Sequence, residues 1–307
     1  MRVVFFGTPE FAEPSLRALV EADHDVVGVV TQPDKPKGRS RSVFVPPPIK
    51  TVAEEYRLPV LQPDQPTGDL FRASLKRMNA ELGVVVAYGH ILRQEILDVP
   101  TMGMINIHAS LLPRWRGAAP IQKAILEGDP VTGVSIMQMD AGMDTGAIIH
   151  HMQTFIQDGD TTGDLLPRLA ELGATAMVTA IEGLVEGTAT FTPQDEEKAT
   201  HAPKVTRAMA RIDWHDPADR VAHQTRAFDP TPGSWALLDE APIKLFHGEA
   251  IPTTAEPGTV LDVGETLLVA CGSGAVRIGE VQPAGKRRLP VADWARGRSD
   301  LPGQLFE

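Results

Sequence analysis

Only one cysteine, Cys271, stands among the 307 residues. An intramolecular disulfide is therefore impossible, no cysteine zinc motif can be assembled, and Cys271 is expected as a small core residue. Long apolar runs are also missing. Val26 to Val30 and Leu82 to Ala87 fall far below the roughly 20 residues that span a bilayer, so no transmembrane helix is expected. The opening Arg2-Val3-Val4-Phe5-Phe6-Gly7 meets a turn residue too soon to form a secretory core, and a cytoplasmic enzyme is expected. Net positive charge is absent as well: the chain carries −11, which opposes whole-chain association with phosphate and confines any RNA contact to local patches. Neither G-x-G-x-x-G nor G-x-x-x-x-G-K-[ST] occurs, so a dinucleotide or ATP is not supported, and Gly7-Thr8-Pro9-Glu10 reads as a tight turn. The nine histidines show no ligand spacing, and no metal is assigned.

What is present is an ordinary globular balance, 42% hydrophobic and 22% charged. The first half alternates β-type runs with helical patterns, which predicts an α/β fold with a Rossmann-like, mostly parallel sheet and helices on both faces. Strands are expected at Arg2 to Phe6, Asp25 to Thr31, Pro59 to Leu61, Gly83 to Ala87, Gly103 to Ile107 and Gly133 to Gln138. From Thr161 the positions Leu165, Leu166, Leu169, Leu172, Met177, Ile181 and Leu184 predict a long amphipathic helix ended by Gly187. The reading is a first domain over residues 1–187, a linker over 188–204 and a second domain over 205–307. In the second, Pro217 to Phe228 reads as a short helix. Strand-like segments follow at Ser234 to Leu238, Ile243 to His247, Gly258 to Asp262, Thr266 to Cys271 and Ala275 to Val281, which suggests a smaller OB-like β-barrel.

Positive charge is concentrated in two places. Lys35, Lys37, Arg39 and Arg41 lie in a Pro- and Gly-containing stretch from Asp34 to Pro48 that shows no strand or helix period and is expected as a long exposed loop. Residues after 204 hold 11 basic against 14 acidic side chains, so they carry only −3 of the total, and Lys286-Arg287-Arg288 with Arg296 and Arg298 cluster near the end. Both patches read equally well as solvated surface.

The segment Ile105-Asn106-Ile107-His108 reads, on spacing alone, as structural more readily than as catalytic. Strand alternation puts Asn106 and His108 on one face, at the carboxyl end of a strand, where open α/β sheets hold their ligands. An amide donor beside an imidazole suits polarisation of a carbonyl and support of a tetrahedral oxyanion. A Gly-containing loop, Met139-Asp140-Ala141-Gly142-Met143-Asp144-Thr145-Gly146, supplies acids able to orient an imidazole and relay a proton. By composition either Asp140 or Asp144 reads equally as a turn former.

Asn-x-His followed by Ser110-Leu111-Leu112-Pro113, with Met143-Asp144-Thr145-Gly146 some 30 residues later, resembles the 10-formyltetrahydrofolate formyltransferases. On that resemblance Asn106, His108 and Asp144 match the catalytic residues, and Ser110, Leu111, Leu112 and Pro113 match a turn that touches the folate. Tyr88, Gly89, Ile91 and Leu92, in Ala87-Tyr88-Gly89-His90-Ile91-Leu92, resemble the segment whose backbone receives the pterin. Ser110 through Pro120, together with Phe6-Gly7-Thr8-Pro9-Glu10-Phe11, Thr31-Gln32-Pro33-Asp34, the basic loop with Gly38-Arg39, Arg211-Ile212-Asp213-Trp214 and Arg226-Ala227-Phe228, is most similar to the members that formylate methionyl initiator tRNA. Two departures stand out: Ala109 where glycine is usual, and Ser40-Arg41-Ser42 where lysine is more frequent.

The resemblance implies 10-formyltetrahydrofolate as formyl donor and methionyl initiator tRNA as partner, met by Lys37, Arg39, Arg41 and a carboxyl-terminal tRNA-binding domain. It implies direct attack by the methionyl α-amine with no covalent enzyme intermediate, in a monomer. Competing readings are formylation of glycinamide ribonucleotide or an amino sugar, hydrolysis of the donor, and a non-catalytic RNA-binding protein.

Overall fold

The computed structural model describes residues 1–37, 43–298 and 300–307. The chain divides into two compact units. One comprises Met1–Gly117, Gly133–Thr154 and Leu166–His201, and the other comprises Ala118–Thr132, Phe155–Leu165 and Ala202–Glu307.

Apolar runs bounded by turn residues become the strands of the first unit: β1 (Arg2–Gly7), β2 (Asp25–Val30), β5 (Val60–Leu61), β6 (Leu82–Val86), β7 (Met104–His108), β9 (Val131–Gln138) and β10 (Ile148–Phe155). Their order is β10-β9-β7-β6-β1-β2-β5. The pairs β1 with β2, β1 with β6, β6 with β7 and β2 with β5 are parallel, whereas β7 with β9 is antiparallel. The sheet is therefore mostly parallel, as its uninterrupted apolar strands predict. After β1 the chain fills one side of the sheet with β2 and β5, then crosses to β6 and β7, so the order reverses between β1 and β6. Such a reversal opens a crevice at the carboxyl ends of the strands.

Helices α1 (Glu13–Glu21), α2 (Pro48–Glu55), α3 (Asp69–Met78), α4 (Gln94–Leu97) and α6 (Thr162–Glu186) accompany these strands. In α3, Asp69 in the first turn and Lys76 with Arg77 in the last oppose the helix dipole, and Asn79 in the left-handed region (φ 50°) stops it. Gly187, at φ 71°, follows the end of α6 as the sequence predicts.

The described part of the stretch expected as a loop holds two short strands. Lys35–Lys37 (β3) pairs antiparallel with Val43–Val45 (β4), and Pro47 caps α2. Proline and charge hide the pairing from a periodicity reading, since β4 exposes all three of its side chains. Two further short strands, β8 (Arg116–Gly117) and β11 (His201–Ala202), pair with each other.

The second unit holds α5 (Pro120–Leu126), α7 (Ala218–Ala227), α8 (Val291–Trp294) and an antiparallel sheet. Its strands are β12 (Ser234–Leu238), β13 (Ala241–Ile251), β14 (Val260–Val263), β15 (Leu267–Ala270), β16 (Ala275–Pro283) and β17 (Leu289–Pro290). The order is β12-β13-β16-β15-β14, with β17 beside β16. Near the chain end, Phe306 bridges Leu238 and Leu305 bridges Thr259, so one terminal segment joins both edges of the sheet. That closure satisfies edge groups otherwise left unpaired. Inside lie Trp214, Leu245, Val269, Ile278, Trp294 and Phe306. Cys271 belongs to this core, 2% exposed, and burial pushes its thiol up to about 11. Among the described residues no helix is long and apolar enough to cross a membrane.

Candidate active site

Ile107 of β7 faces α6, where a Cβ on Gly173 would lie 2.9 Å from it. Alternation turns Asn106 and His108 to the opposite face, ~7 Å apart along the strand. Asn106 is partly exposed, and among the described residues its amide makes no hydrogen bond to the protein.

His108 ends β7 and is buried, with Nε2 2.8 Å from the carbonyl of Trp115. A carbonyl can only accept, so Nε2 carries a proton and donates it. Nδ1 is thereby the nitrogen left for exchange, and it lies 3.7 Å from Oδ2 of Asp144. That distance is too long for a direct hydrogen bond and leaves the two groups facing each other.

The geometry separates the two acids that composition leaves equivalent. Asp140 is exposed, and its Oδ1 accepts the Gly142 N–H at 2.9 Å and the Thr145 hydroxyl at 2.7 Å, so it forms the turn. Asp144 instead points inward and accepts the Gly117 N–H on Oδ2 at 2.8 Å. Its backbone is left-handed at φ 57°, and the loop closes at Gly146, where a Cβ would collide with the carbonyl of Gln138.

The turn after β7 is fixed by serines. Ser110 donates its hydroxyl to the Arg114 carbonyl at 2.6 Å. Ser135 of β9, in register with His108, donates to the Ser110 carbonyl at 2.6 Å and accepts the Leu112 N–H at 2.9 Å. Ser110 and Leu112 are buried, whereas Leu111 and Pro113 keep some solvent contact.

Beyond β6, Ala87 (φ 46°) and Gly89 (φ 87°) bend the chain sharply. Tyr88 turns inward: its ring meets Phe6 edge-on at 5.4 Å, and burial pushes its phenol up to about 12. Its carbonyl accepts from the Thr8 hydroxyl at 2.9 Å and the Gln32 amide at 3.1 Å, so this backbone oxygen is already engaged. Leu92 is buried, and Ile91 is 81% exposed. Beside this segment a cleft of about 440 Å³ is lined by Thr8, Gln32 and prolines including Pro33, Pro46 and Pro47.

Of the basic residues, Lys37 ends β3, while Arg39 and Arg41 lie outside the described residues. In the second unit Arg288 is committed to Asp229 and Glu280, and Arg296 pairs with Asp293 at 2.9 Å. Lys286 and Arg287 are exposed.

Sequence reasoning passed over several residues that build this site: Trp115 through its carbonyl, Ser135, Arg116, Gln194 and Thr200. Alternation along β9 could have pointed to Ser135, since it sits opposite His108. For Gln194 and Thr200, in a polar segment without period, there was no local signal.

Fold and site together define an α/β enzyme with an amide, an imidazole and a carboxylate gathered at the carboxyl end of one strand, a set suited to acyl transfer. Residues 1–181 match the formyl transferase family model and residues 204–299 match that of the formyl transferase carboxyl-terminal domain. A protein of Thiobacillus denitrificans named methionyl-tRNA formyltransferase is 46% identical over 303 residues, 97% of each chain. The chain belongs to the formyl transferase family. Among solved structures, an N-formyltransferase from Helicobacter canadensis in complex with folinic acid and dTDP-3-aminofucose is 17% identical, with TM-score 0.68 over 92% of this chain and 98% of that one. HypX from Aquifex aeolicus in complex with tetrahydrofolic acid is 20% identical, with TM-score 0.64 over 96% of this chain, which spans 47% of HypX. These two likenesses bear on the fold.

Proposed function

We propose that the protein transfers the formyl group of 10-formyltetrahydrofolate to the α-amino group of methionyl initiator tRNA. Carrying the proposal is the 46% identity, over 97% of both chains, to a protein named for that reaction, combined with the Asn106, His108 and Asp144 constellation.

In this reading the donor's pterin lies against the Tyr88, Gly89, Ile91 and Leu92 segment, and the turn Ser110, Leu111, Leu112 and Pro113 borders the folate. The α-amine, with an ordinary pKa near roughly 8, is partly neutral at physiological pH and attacks the formyl carbon directly. A C–N bond forms, and the carbonyl electrons move onto oxygen. Asn106 donates its free amide hydrogen to that oxygen. His108 in its charged form donates from Nδ1 to the same oxygen, while Nε2–H stays on the Trp115 carbonyl at 2.8 Å. Asp144, 3.7 Å from Nδ1, favours that charge and takes the amine proton through water. Collapse of the intermediate breaks the bond to N10, which takes that bonding pair and leaves with the proton that Asp144 passes on through the same water. The donor is a cosubstrate, and this sequence of steps uses no metal.

The tRNA is assigned to residues 205–307 and to Lys37, Arg39 and Arg41, with residues 1–187 as the catalytic domain and 188–204 as the linker. The test is acceptor choice. The protein is incubated with 10-formyltetrahydrofolate and, in parallel, methionyl initiator tRNA, glycinamide ribonucleotide, an amino sugar nucleotide or water, and formyl transfer is followed. Transfer to the tRNA supports the proposal, and preferential transfer to any other acceptor rejects it. Neutralising Lys37, Arg39 and Arg41 together should raise KM for tRNA far more than KM for the folate.

A further inference from the structure

Asp144 is held at both ends by one neighbouring dipeptide and one distant glutamine. Its carboxylate accepts the Gly117 N–H at 2.8 Å. Its own carbonyl, and that of Gly146, each accept from Nε2 of Gln194 at 2.8 Å. Two hydrogens on one amide nitrogen thus span the left-handed residue, Asp144, and the end of its loop. The amide's oxygen is engaged as well: Oε1 of Gln194 accepts from Nε of Arg116 at 2.9 Å. The orientation of the amide follows, because turning it over would set oxygen against two carbonyls and NH₂ against an N–H donor.

Arg116 is in turn held by its own partners. Its side chain is 3% exposed, and Nη1 and Nη2 grip both oxygens of Glu196 at 2.9 and 2.8 Å. Residues 194–200 continue as a strap along the same segment. The Thr200 hydroxyl accepts the Trp115 N–H at 2.9 Å, and the Thr200 carbonyl accepts the Arg116 N–H at 2.8 Å. A closed circuit results, running from the Asp144 carboxylate through Gly117, Arg116 and Gln194 back to the Asp144 carbonyl. Left-handed backbone at a non-glycine residue is disfavoured, so it persists only where its surroundings hold it.

We infer that Gln194 is a positioning residue for formyl transfer, holding Asp144 in the conformation that faces its carboxylate to Nδ1 of His108. The inference rests on the proposed role of Asp144. Both amide hydrogens and the amide oxygen of Gln194 are engaged within the protein, so its loss acts on turnover and leaves substrate affinity alone.

The experiment uses Gln194→Met, which keeps the volume and removes every hydrogen bond, and Gln194→Glu, which keeps the acceptor for Arg116 and removes both donors. Each is made in the wild-type chain and in Asp144→Asn, and kcat, both KM values and the melting temperature are measured with 10-formyltetrahydrofolate and methionyl initiator tRNA. In the wild-type chain kcat should fall about 10- to 100-fold, the cost of misplacing a reacting group by ~1 Å, with both KM values within about twofold. In Asp144→Asn the same changes should add less than about twofold, because a residue acting only through Asp144 has nothing left to position. Unchanged kcat in the wild-type chain would overturn the inference, and so would a full additional loss in Asp144→Asn. Failure of both variants to fold would mark Gln194 as a general fold residue and overturn it too. Near-normal turnover of Asp144→Asn alone would instead remove the role assigned to Asp144, and the inference with it.

Discussion

Replacing Asn106 by alanine separates chemistry from stability more cleanly than any other change at this site. The amide makes no hydrogen bond to the protein among the described residues, so truncation breaks none. The side chain is partly exposed, and its strand partners Val85 and Met137 keep their backbone pairing. Stability should therefore change by less than about 1 kcal/mol, a shift in melting temperature of a few degrees. Catalysis should respond differently. Loss of one preorganised donor to a developing oxyanion costs about 2.7 to 4 kcal/mol, or roughly 10²- to 10³-fold in kcat. The assay is steady-state formylation of methionyl initiator tRNA, with KM for each substrate measured beside a thermal melt. A kcat within about fivefold of wild type would show that Asn106 does not meet the reacting oxygen. A melting temperature lowered by about 10 °C would show that the residue serves the fold, contrary to the reasoning from its unpaired amide.

Two predictions concern stability. Arg288 donates to Asp229 at 2.6 and 2.9 Å and to Glu280 at 2.7 Å, and the Asp229 side chain is 5% exposed. Arg288→Met strands that carboxylate and should cost about 3 kcal/mol by urea unfolding, part of which Asp229→Asn should restore in the double variant; no restoration would reject the stranded-charge account. His24, His151 and His223 all have pKa values lowered from 6.5, chiefly by burial. The folded protein keeps them neutral while the unfolded chain binds protons, so their stabilisation is complete above about pH 7 and is lost as pH falls through 6.5 toward the lower folded values. Each contributes a fraction of the ~1.4 kcal/mol per pH unit limit, since all three keep some solvent contact. Urea unfolding of His223→Gln between pH 7.5 and 5.5 should show a shallower decline than wild type, and parallel slopes would contradict this.

Strands buried on both faces were legible because continuous apolar runs leave few other interpretations, as in Val3–Phe6 and Leu82–Val86. The edge strand β10 escaped notice. Its residues, from Ile148 through two histidines to Phe155, are all partly exposed or exposed, so no buried face marks a period there. The β3–β4 pairing was hidden because β4 exposes all three of its side chains. Within the site, alternation alone brought Asn106 and His108 to one face, since strand geometry is local. It could not choose between Asp140 and Asp144, because that choice depends on which carboxylate accepts the Gly117 N–H, a contact across 27 residues. Gln194 was harder still, reaching back 50 residues to the Asp144 carbonyl.

The contiguity of Ser110 to Gly117 follows from the same geometry. Within eight residues this segment supplies a serine-pinned turn, the Trp115 carbonyl that fixes the His108 tautomer, the Gly117 N–H that donates to Asp144, and the Arg116 side chain that orients Gln194. Several of these contributions come from backbone atoms, which any residue carries, yet each depends on the chain path. Trp115 must adopt φ 63° and Gly117 φ 115° for the carbonyl and the N–H to point as they do. Side chains therefore act on the chemistry by fixing backbone direction: Ser110 and Ser135 pin one end of the turn, and the Thr200 hydroxyl holds Trp115 at the other. A substitution at any of these positions is expected to move His108 and Asp144 together, because both partners take their orientation from the one segment that lies between them.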